Sequence, residues 1–403
     1  MRKVMFLGGS IQQLPAIQYA QKQGYHTILC DFLQDNPGQY YSDEFYCEST
    51  TDKEAICIIA MQKKIDGIVA YASDPAAATA AFVSNRLNLP SNSYESVLVL
   101  SNKYLFREFL FKNNFNCPKA KSFKNVEEAI NSLSEFQFPL IVKPTDSSGS
   151  KGVSKIDKQE ELNDAFNTAI SYSKNNQVII EEFIEMSHEY MVGGDIFVVN
   201  GKIDFFGLLN CHRSKEINSL VPIGKSYPLL IEEEKIHLIH DELQKVITLL
   251  DIRMGAFNIE VMFSKDRGPY IIEMGPRNGG NMIPQLLQII TGVDLVEATV
   301  EAALGKIDEL KVGCSLPLDS YFSTYIIHSS KAGRLKNIIF SKDIQENIID
   351  KIIFKEVNEE VEIFDNSSKA MGIIFLKYRS LEELNFKMKN MNKFIEIQLD
   401  DME

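Results

Sequence analysis

The sequence predicts an α/β fold that opens on a parallel sheet, and three observations carry that expectation. Short apolar runs alternate with amphipathic stretches through the first hundred residues, Gly or polar turn residues punctuate each change, and no apolar run approaches the length of a membrane span. KVMFLGG (3–9) reads as a strand, QQLPAIQYAQKQG (12–24) as a helix closed by Gly24, and HTILCD (26–31) as a second strand. KEAICIIAMQKK (53–64) follows as a helix, IDGIVAYA (65–72) as a strand and DPAAATAAFVSNRL (74–87) as a helix. Parallel strands need such crossover helices. Ligands of these sheets lie beyond the carboxyl ends of the strands, where Ser10, Asp31 and Asp74 stand. Each also suits a turn or a helix cap, Asp74 above all because Pro75 follows it. The turn after the first strand is GGS and lacks GxGxxG spacing, which argues against a dinucleotide fingerprint there.

Beyond residue 100 the pattern changes. SNKYLFREFLFKNN (101–114) reads as an amphipathic helix, NCPKAKSF (116–123) leads into a short segment, and VEEAINSLSEF (126–136) is a helix before the strand FPLIVKPTD (138–146). Residues 178–310 mix strands and helices, and a further α/β segment with strands YFSTYIIHS and MGIIFLKYR runs from about 311 to 403. At 403 residues the chain has room for several cores. The net charge of −13 argues against nucleic acid and anionic membrane as partners, since nothing would offset phosphate repulsion. Six cysteines without CxxC spacing indicate neither a zinc site nor a disulfide framework, and MRKVMFLGGS is too short in its apolar part for a secretory leader. A cytoplasmic protein is expected.

Two carboxylates carry the chemical signal. Glu260 in GAFNIEVMF and Glu273 in PYIIEMG lie thirteen residues apart on two alternating runs joined by SKDRG, the pattern of a β-hairpin with acids on neighbouring strands. A close carboxylate pair repels itself unless a cation lies between, and oxygen-only ligands favour magnesium, which also takes phosphate oxygens. Alone, the pair reads as two solvated acids. Upstream, PLIVKPTDSSGSKGVSKI sets Lys143 at a strand end before a loop holding Ser147, Ser148, Gly149, Ser150 and Gly152. Backbone N–H groups of such a loop can wrap phosphate oxygens, although it is no Walker loop and by itself suits a plain surface hairpin. VIIEEFIEMSHEY then ends a strand at Glu181-Glu182, where backbone groups suit an adenine edge and a carboxylate suits ribose.

In this order, a helix-borne Lys103, the strand–Lys–Gly/Ser loop, EEFI and the two strand carboxylates resemble the ATP-grasp superfamily, over roughly residues 1–310 and more loosely to the end. YASDPAAATAAFVSNRLNLPSNSYESVLVLSNKYLFREFL is similar to its carbamoyl-phosphate-synthase and amino-acid-ligase branches. The resemblance implies an α/β ATP-grasp architecture. It would comprise an N-terminal pre-ATP-grasp parallel-sheet domain (1–100), a two-subdomain ATP clamp (101–310, lid about 118–187) and a small closing α+β domain (311–403).

It also implies roles. Lys103 and Lys143 would contact ATP phosphates under the 146–152 loop, and Glu181 would meet the adenine amino group beside backbone contacts from Glu182 and Ile184. Glu189, or His188, would hold the ribose, and Glu260 and Glu273 would hold Mg2+, with Mn2+ an acceptable substitute. Many members carry an Asn two residues after the second acid. Here Gly275 stands there, so water, Asn258 or Asn278 takes its place or a second metal binds weakly. Arg277 would face the acyl phosphate as the catalytic residue, or else pair structurally with a neighbouring acid. Asn258, Asn278, Gly279 and Gly280, with Asn281 and the loop cations Arg213, Lys215 and Lys225, are the substrate-side candidates. The activity implied is ATP-dependent amide formation between a carboxylate and an amine, one of them an amino acid, with a homodimer the usual assembly of relatives. The alternatives are bicarbonate-dependent carboxyphosphate chemistry and a nucleotide-binding regulator without turnover.

Overall fold

The structure is a computed structural model that describes residues 1–400 except 148, 215–217, 266–267, 314–316 and 318. Its strands form four sheets. The N-terminal sheet is parallel, in the order Glu44–Cys47, His26–Asp31, Lys3–Leu7, Gly67–Val69. Helices Leu14–Lys22 and Lys53–Lys63 lie in crossovers between its strands, and Asp74–Leu87 follows the last of them. Asp74–Leu87 buries Ala76, Ala77, Ala81 and Val83, and these small side chains let it lie close against its neighbours. The departures from the sequence pattern are local. IDGIVAYA contributes only Gly67–Val69 to the sheet, and Glu44–Cys47 adds an edge strand that its mixed polarity hid. Ile11–Gln13 forms a 3-10 turn ahead of the first helix. The helix expected from 101 begins at Lys103, because the Asn102 side chain caps it by accepting from the N–H groups of Tyr104 and Leu105. A separate helix, Tyr94–Ser101, precedes it.

A four-stranded antiparallel sheet follows, ordered Ala120–Phe123, Val178–Glu182, Leu140–Pro144, Ser154–Ile156. The largest sheet has eight strands, ordered Pro269–Gly275, Met254–Phe263, Met191–Val199, Lys202–Ser214, Asn218–Tyr227, Tyr321–Ile327, Gly372–Tyr378, Ile348–Ile353. It is covered on both faces. Phe197, Phe205, Leu286 and Leu287 pack on one side under helix Ile283–Thr291, while Val198, Leu243, Val246 and Phe257 pack on the other under helix Glu233–Leu249. Two covered faces explain why Met191–Val199 reads as a continuous apolar run rather than an alternation. Three strands after residue 320, Tyr321–Ile327, Gly372–Tyr378 and Ile348–Ile353, extend this sheet, Tyr227 pairing with Phe322 and Tyr325 with Ile374. A three-stranded sheet of Glu360–Val361, Gly333–Phe340 and Ile395–Asp400 completes the described chain. Among the described residues no helix is long and apolar enough to cross a membrane.

Candidate active site

The expected hairpin forms, and its register sets Glu260 directly opposite Glu273. A bulge follows Glu260, between it and Val261. Opposed residues of an antiparallel pair stand about 5 Å apart, close enough for two carboxylates to share one cation. Both are partly buried. Burial pushes the Glu273 carboxyl up, Lys103 pulls it down, and the charges of Asp74 and Glu260 push it up again. Glu260 has Arg213 at 3.5 Å, a cation at the outer edge of the pair. Among the described residues no three His, Cys, Asp or Glu side chains gather for a metal. The pair alone therefore fits a hard cation that keeps water or substrate oxygens in its shell, as magnesium does.

The two acids open onto a cavity of about 160 Å³ between the eight-stranded sheet and the antiparallel sheet of Leu140–Pro144. Lys103, Lys143, Gly149, Ser150, Glu181 and Arg213 also line it, and Ile141, Val153, Phe183, Ile184, Met262 and Ile272 give it an apolar wall. Lys103 is the first residue of its helix and its Nζ donates to the Ser147 carbonyl, which ties the helix to the loop after Lys143. That loop joins the strands Leu140–Pro144 and Ser154–Ile156. Gly149 and Gly152 take φ of +66° and +70°, so a side chain at either would be strained. Ser150 Oγ donates to the Leu220 carbonyl at 2.8 Å, and Ser367 Oγ donates to the Gly149 carbonyl at 3.4 Å, fastening the loop on two sides.

Glu181 sits at the cavity floor between two cations. Its Oε1 accepts from Lys143 Nζ and its Oε2 from Arg107 Nε, the latter at 2.9 Å. Burial pushes this carboxyl up, but Arg107 and Lys143 outweigh burial and hold it at about 2. Both Glu181 oxygens are thus committed to protein cations rather than open to a base edge. Arg107 also donates from Nη2 to the Ile272 carbonyl at 2.8 Å, beside Glu273. The sequence reading passed over Arg107, although it stands four residues after Lys103 and hence on the same helix face.

Other expected residues lie elsewhere. Glu189 is exposed and pairs with Lys389 at 3.2 Å, and His188 Nε2 accepts from the Phe263 N–H, so neither ribose candidate lines the cavity. Glu182 does line the cavity, with its N–H donating to the Lys119 carbonyl. Gly152 turns away from the cavity toward Tyr172 and Pro144. Lys225 is buried, its Nζ on Cys211 Sγ at 2.5 Å rather than in a loop facing solvent. Ser148 and Lys215 lie outside the described residues.

The segment after Glu273 is bound inward. Asp195, fully buried in mid-strand, accepts from the Gly279 N–H at 2.8 Å and from Asn258 Nδ2 at 2.9 Å. Asn278 is fully buried, its Oδ1 accepting from Thr299 Oγ1, and the Asn281 N–H donates to Gln12 Oε1. The Gly279 and Asn281 N–H groups are thus spent inside the protein, and the Asn258 and Asn278 amides are engaged there too, instead of pointing at an anion. Gly280 lies beside Gln12. Arg277 grips Asp74, with Nε on Oδ1 at 2.7 Å and Nη2 on Oδ2 at 2.5 Å. Asp74 is therefore neither cap nor turn former: Ser73 stands at the cap position and the Asp74 carboxylate reaches the far end of the chain's second acid strand.

Burial pushes the Asp195 carboxyl up to about 6, against the Gly279 and Asn258 donors and the charges of Arg277 and Lys225. An acid raised in the folded state opposes folding as pH rises from its unfolded value near 4 through 6. Asp195→Asn removes that charge but sets an NH2 against one of two donors. The variant should be less stable at pH 4, by about 1–3 kcal/mol, and the gap should narrow as pH rises to about 6. Urea unfolding at both pH values checks this, and a gap that widened would refute it.

Comparison with known proteins gives one family model, the carbamoyl-phosphate synthase L chain ATP-binding domain, matching residues 102–310. The carbamoyl phosphate synthase large chain of Thermoanaerobacter pseudethanolicus is 25% identical over 268 residues, covering 66% of this chain and 24% of that one. The chain thus spans about a quarter of the length of the curated relatives it matches. Among solved structures, phosphoribosylglycinamide synthetase from Anaerococcus prevotii aligns with a TM-score of 0.76 at 26% identity, over 99% of this chain and 100% of that one. L-amino acid ligase from Bacillus licheniformis aligns with a TM-score of 0.81 at 20% identity, over 100% and 99%. The second likeness is one of fold alone.

Proposed function

This chain belongs to the ATP-grasp superfamily, and from that premise we propose that it is an ATP-dependent carboxylate–amine ligase working through an acyl phosphate. The observation that carries the proposal is the opposed pair Glu260 and Glu273 at the edge of a lysine-lined cavity with an apolar wall. The apolar wall takes the adenine. Lys103 and Lys143 hold phosphate oxygens, with Glu181 and Arg107 fixing the Lys143 ammonium from below. Glu260 and Glu273 would hold magnesium, which supplies positive charge against the phosphate oxygens. Arg277 meets the transferring phosphoryl group or the acid that receives it.

A substrate carboxylate oxygen attacks the γ-phosphorus, the bond to the β–γ bridging oxygen breaks, and ADP leaves. The amine nitrogen then attacks the acyl carbon, phosphate departs, and the nitrogen loses a proton. No protein nucleophile is required. The protein positions the reactants and stabilises charge. Bicarbonate in place of the carboxylate is the second reading, favoured by the carbamoyl phosphate synthase relatives. A nucleotide-binding regulator is the third.

ADP and phosphate release from Mg-ATP, across amino acids and small carboxylates paired with amines, tests the proposal. Release should require one acid–amine pair, and Lys143→Ala should lower it by roughly 10²–10³. Release with bicarbonate alone would move the assignment to carboxyphosphate chemistry. ATP binding with no release under any pair would leave the regulator.

A further inference from the structure

We propose that Asp74 is the positioning residue for Arg277, and that position 275 is glycine because this pair fills the room a side chain there would need. The inference rests on the proposed role of Arg277 toward the transferred phosphoryl group.

Three observations support it. A Cβ built on Gly275 would stand 2.6 Å from Asp74 Oδ1, 3.3 Å from Arg277 Cζ and 3.4 Å from Arg277 Nε. The Gly275 backbone is not in the left-handed region, so conformation does not demand glycine there. The three nearest atoms all belong to the neighbouring ion pair. Gly275 also lies two residues after Glu273 on one strand, so a side chain at 275 would share the Glu273 face.

The grip on Arg277 is directional. A guanidinium has five N–H donors in a rigid fork. Asp74 takes Nε–H and one N–H of Nη2, and the Asn278 carbonyl takes one N–H of Nη1 at 3.1 Å. One N–H remains on each terminal nitrogen, the pair that suits two oxygens of one anion. Asp74 thus leaves Arg277 a single free edge. Both side chains are about nine-tenths buried, so water does not loosen the pair. The contact also joins the helix after Gly67–Val69 to the strand that carries Glu273, which sets the N-terminal sheet against the acid pair.

The test measures binding of inorganic phosphate to the Mg-ADP complex of the full chain, for wild type, Asp74→Ala, Gly275→Asn and the double variant, with Arg277→Ala as reference. Phosphate is titrated at saturating Mg-ADP in each variant, so that any change in Mg-ADP affinity does not enter the comparison. Phosphate affinity should fall about tenfold in each single variant, and the double variant should lose no more than the weaker single, because both remove the same bond. A purely structural pair would lower the thermal midpoint without this selective loss of phosphate. Where Asp74→Ala does not fold, Asp74→Asn keeps one acceptor oxygen and should show a smaller loss in the same direction. Equal phosphate binding by wild type and the Asp74 variants, or losses that multiply in the double, would overturn the inference. Failure of the wild type to bind Mg-ADP would instead sink the proposed nucleotide site and take this inference with it.

Discussion

Glu273→Gln should lower ATP-dependent phosphate release by roughly 10²–10³ while raising the thermal midpoint of the ligand-free protein. The two effects have one cause. The Glu273 carboxylate is held in a part-buried place opposite Glu260 and within the field of Asp74, so its charge is unfavourable until a cation arrives. The amide keeps the shape and removes the charge. It relieves the empty site and weakens the loaded one, so the half-saturating magnesium concentration should rise. Phosphate release against magnesium concentration, with thermal unfolding in chelator, measures both. A variant that lost activity and stability together would show that Glu273 acts in the fold rather than on a cation.

The second large effect falls on stability. Arg107→Met should cost about 3–5 kcal/mol in urea unfolding, because it strips one of two cations from the buried Glu181 and the donor from the Ile272 carbonyl. Methionine fills similar volume, so the loss comes from the broken bonds to Glu181 and Ile272 rather than from a void. Glu181→Gln added to Arg107→Met should lower stability further, because it leaves the buried Lys143 ammonium without its partner. Turnover should be low in the double variant, since Lys143 then lacks its ionised anchor. If the double variant were no less stable than the single, the charge account would be wrong and packing would be the cause. The pH dependence has a definite sign: a carboxyl held at about 2 stabilises the fold above its ordinary range near 4.5, and that contribution is lost as pH falls toward 2.

What the sequence made legible was local. Alternation between strand and helix predicted the parallel sheet at the N-terminus, and the thirteen-residue spacing with its turn placed Glu260 opposite Glu273. Gly/Ser content pointed to the loop after Lys143, and the loop does border the cavity. The rest depends on contacts between distant segments. Asp74 and Arg277 are separated by 203 positions, and no periodicity links them. Asp195 left a trace, an acid inside the apolar run VGGDIFVV, but its partners Gly279 and Asn258 come from other elements. Arg107 was hidden for another reason. A cation on an amphipathic helix ordinarily faces water, and only the opposing Glu181 turns this one inward. Glu189 and His188 show the converse, since the family resemblance implied a ribose contact and their tertiary contacts lie outside the cavity.

The continuity of the eight-stranded sheet bears on how the protein can be divided. The acid hairpin lies at one edge, and on the other side Tyr321–Ile327 pairs with Asn218–Tyr227, followed in turn by Gly372–Tyr378 and Ile348–Ile353. A fragment cut before Tyr321 would keep every candidate side chain around the cavity and still uncover the pairing edge of Asn218–Tyr227, a template for adhesion between copies. The part that holds the cavity is therefore not a separable module: the strands that cover its open sheet edge lie outside the cavity lining.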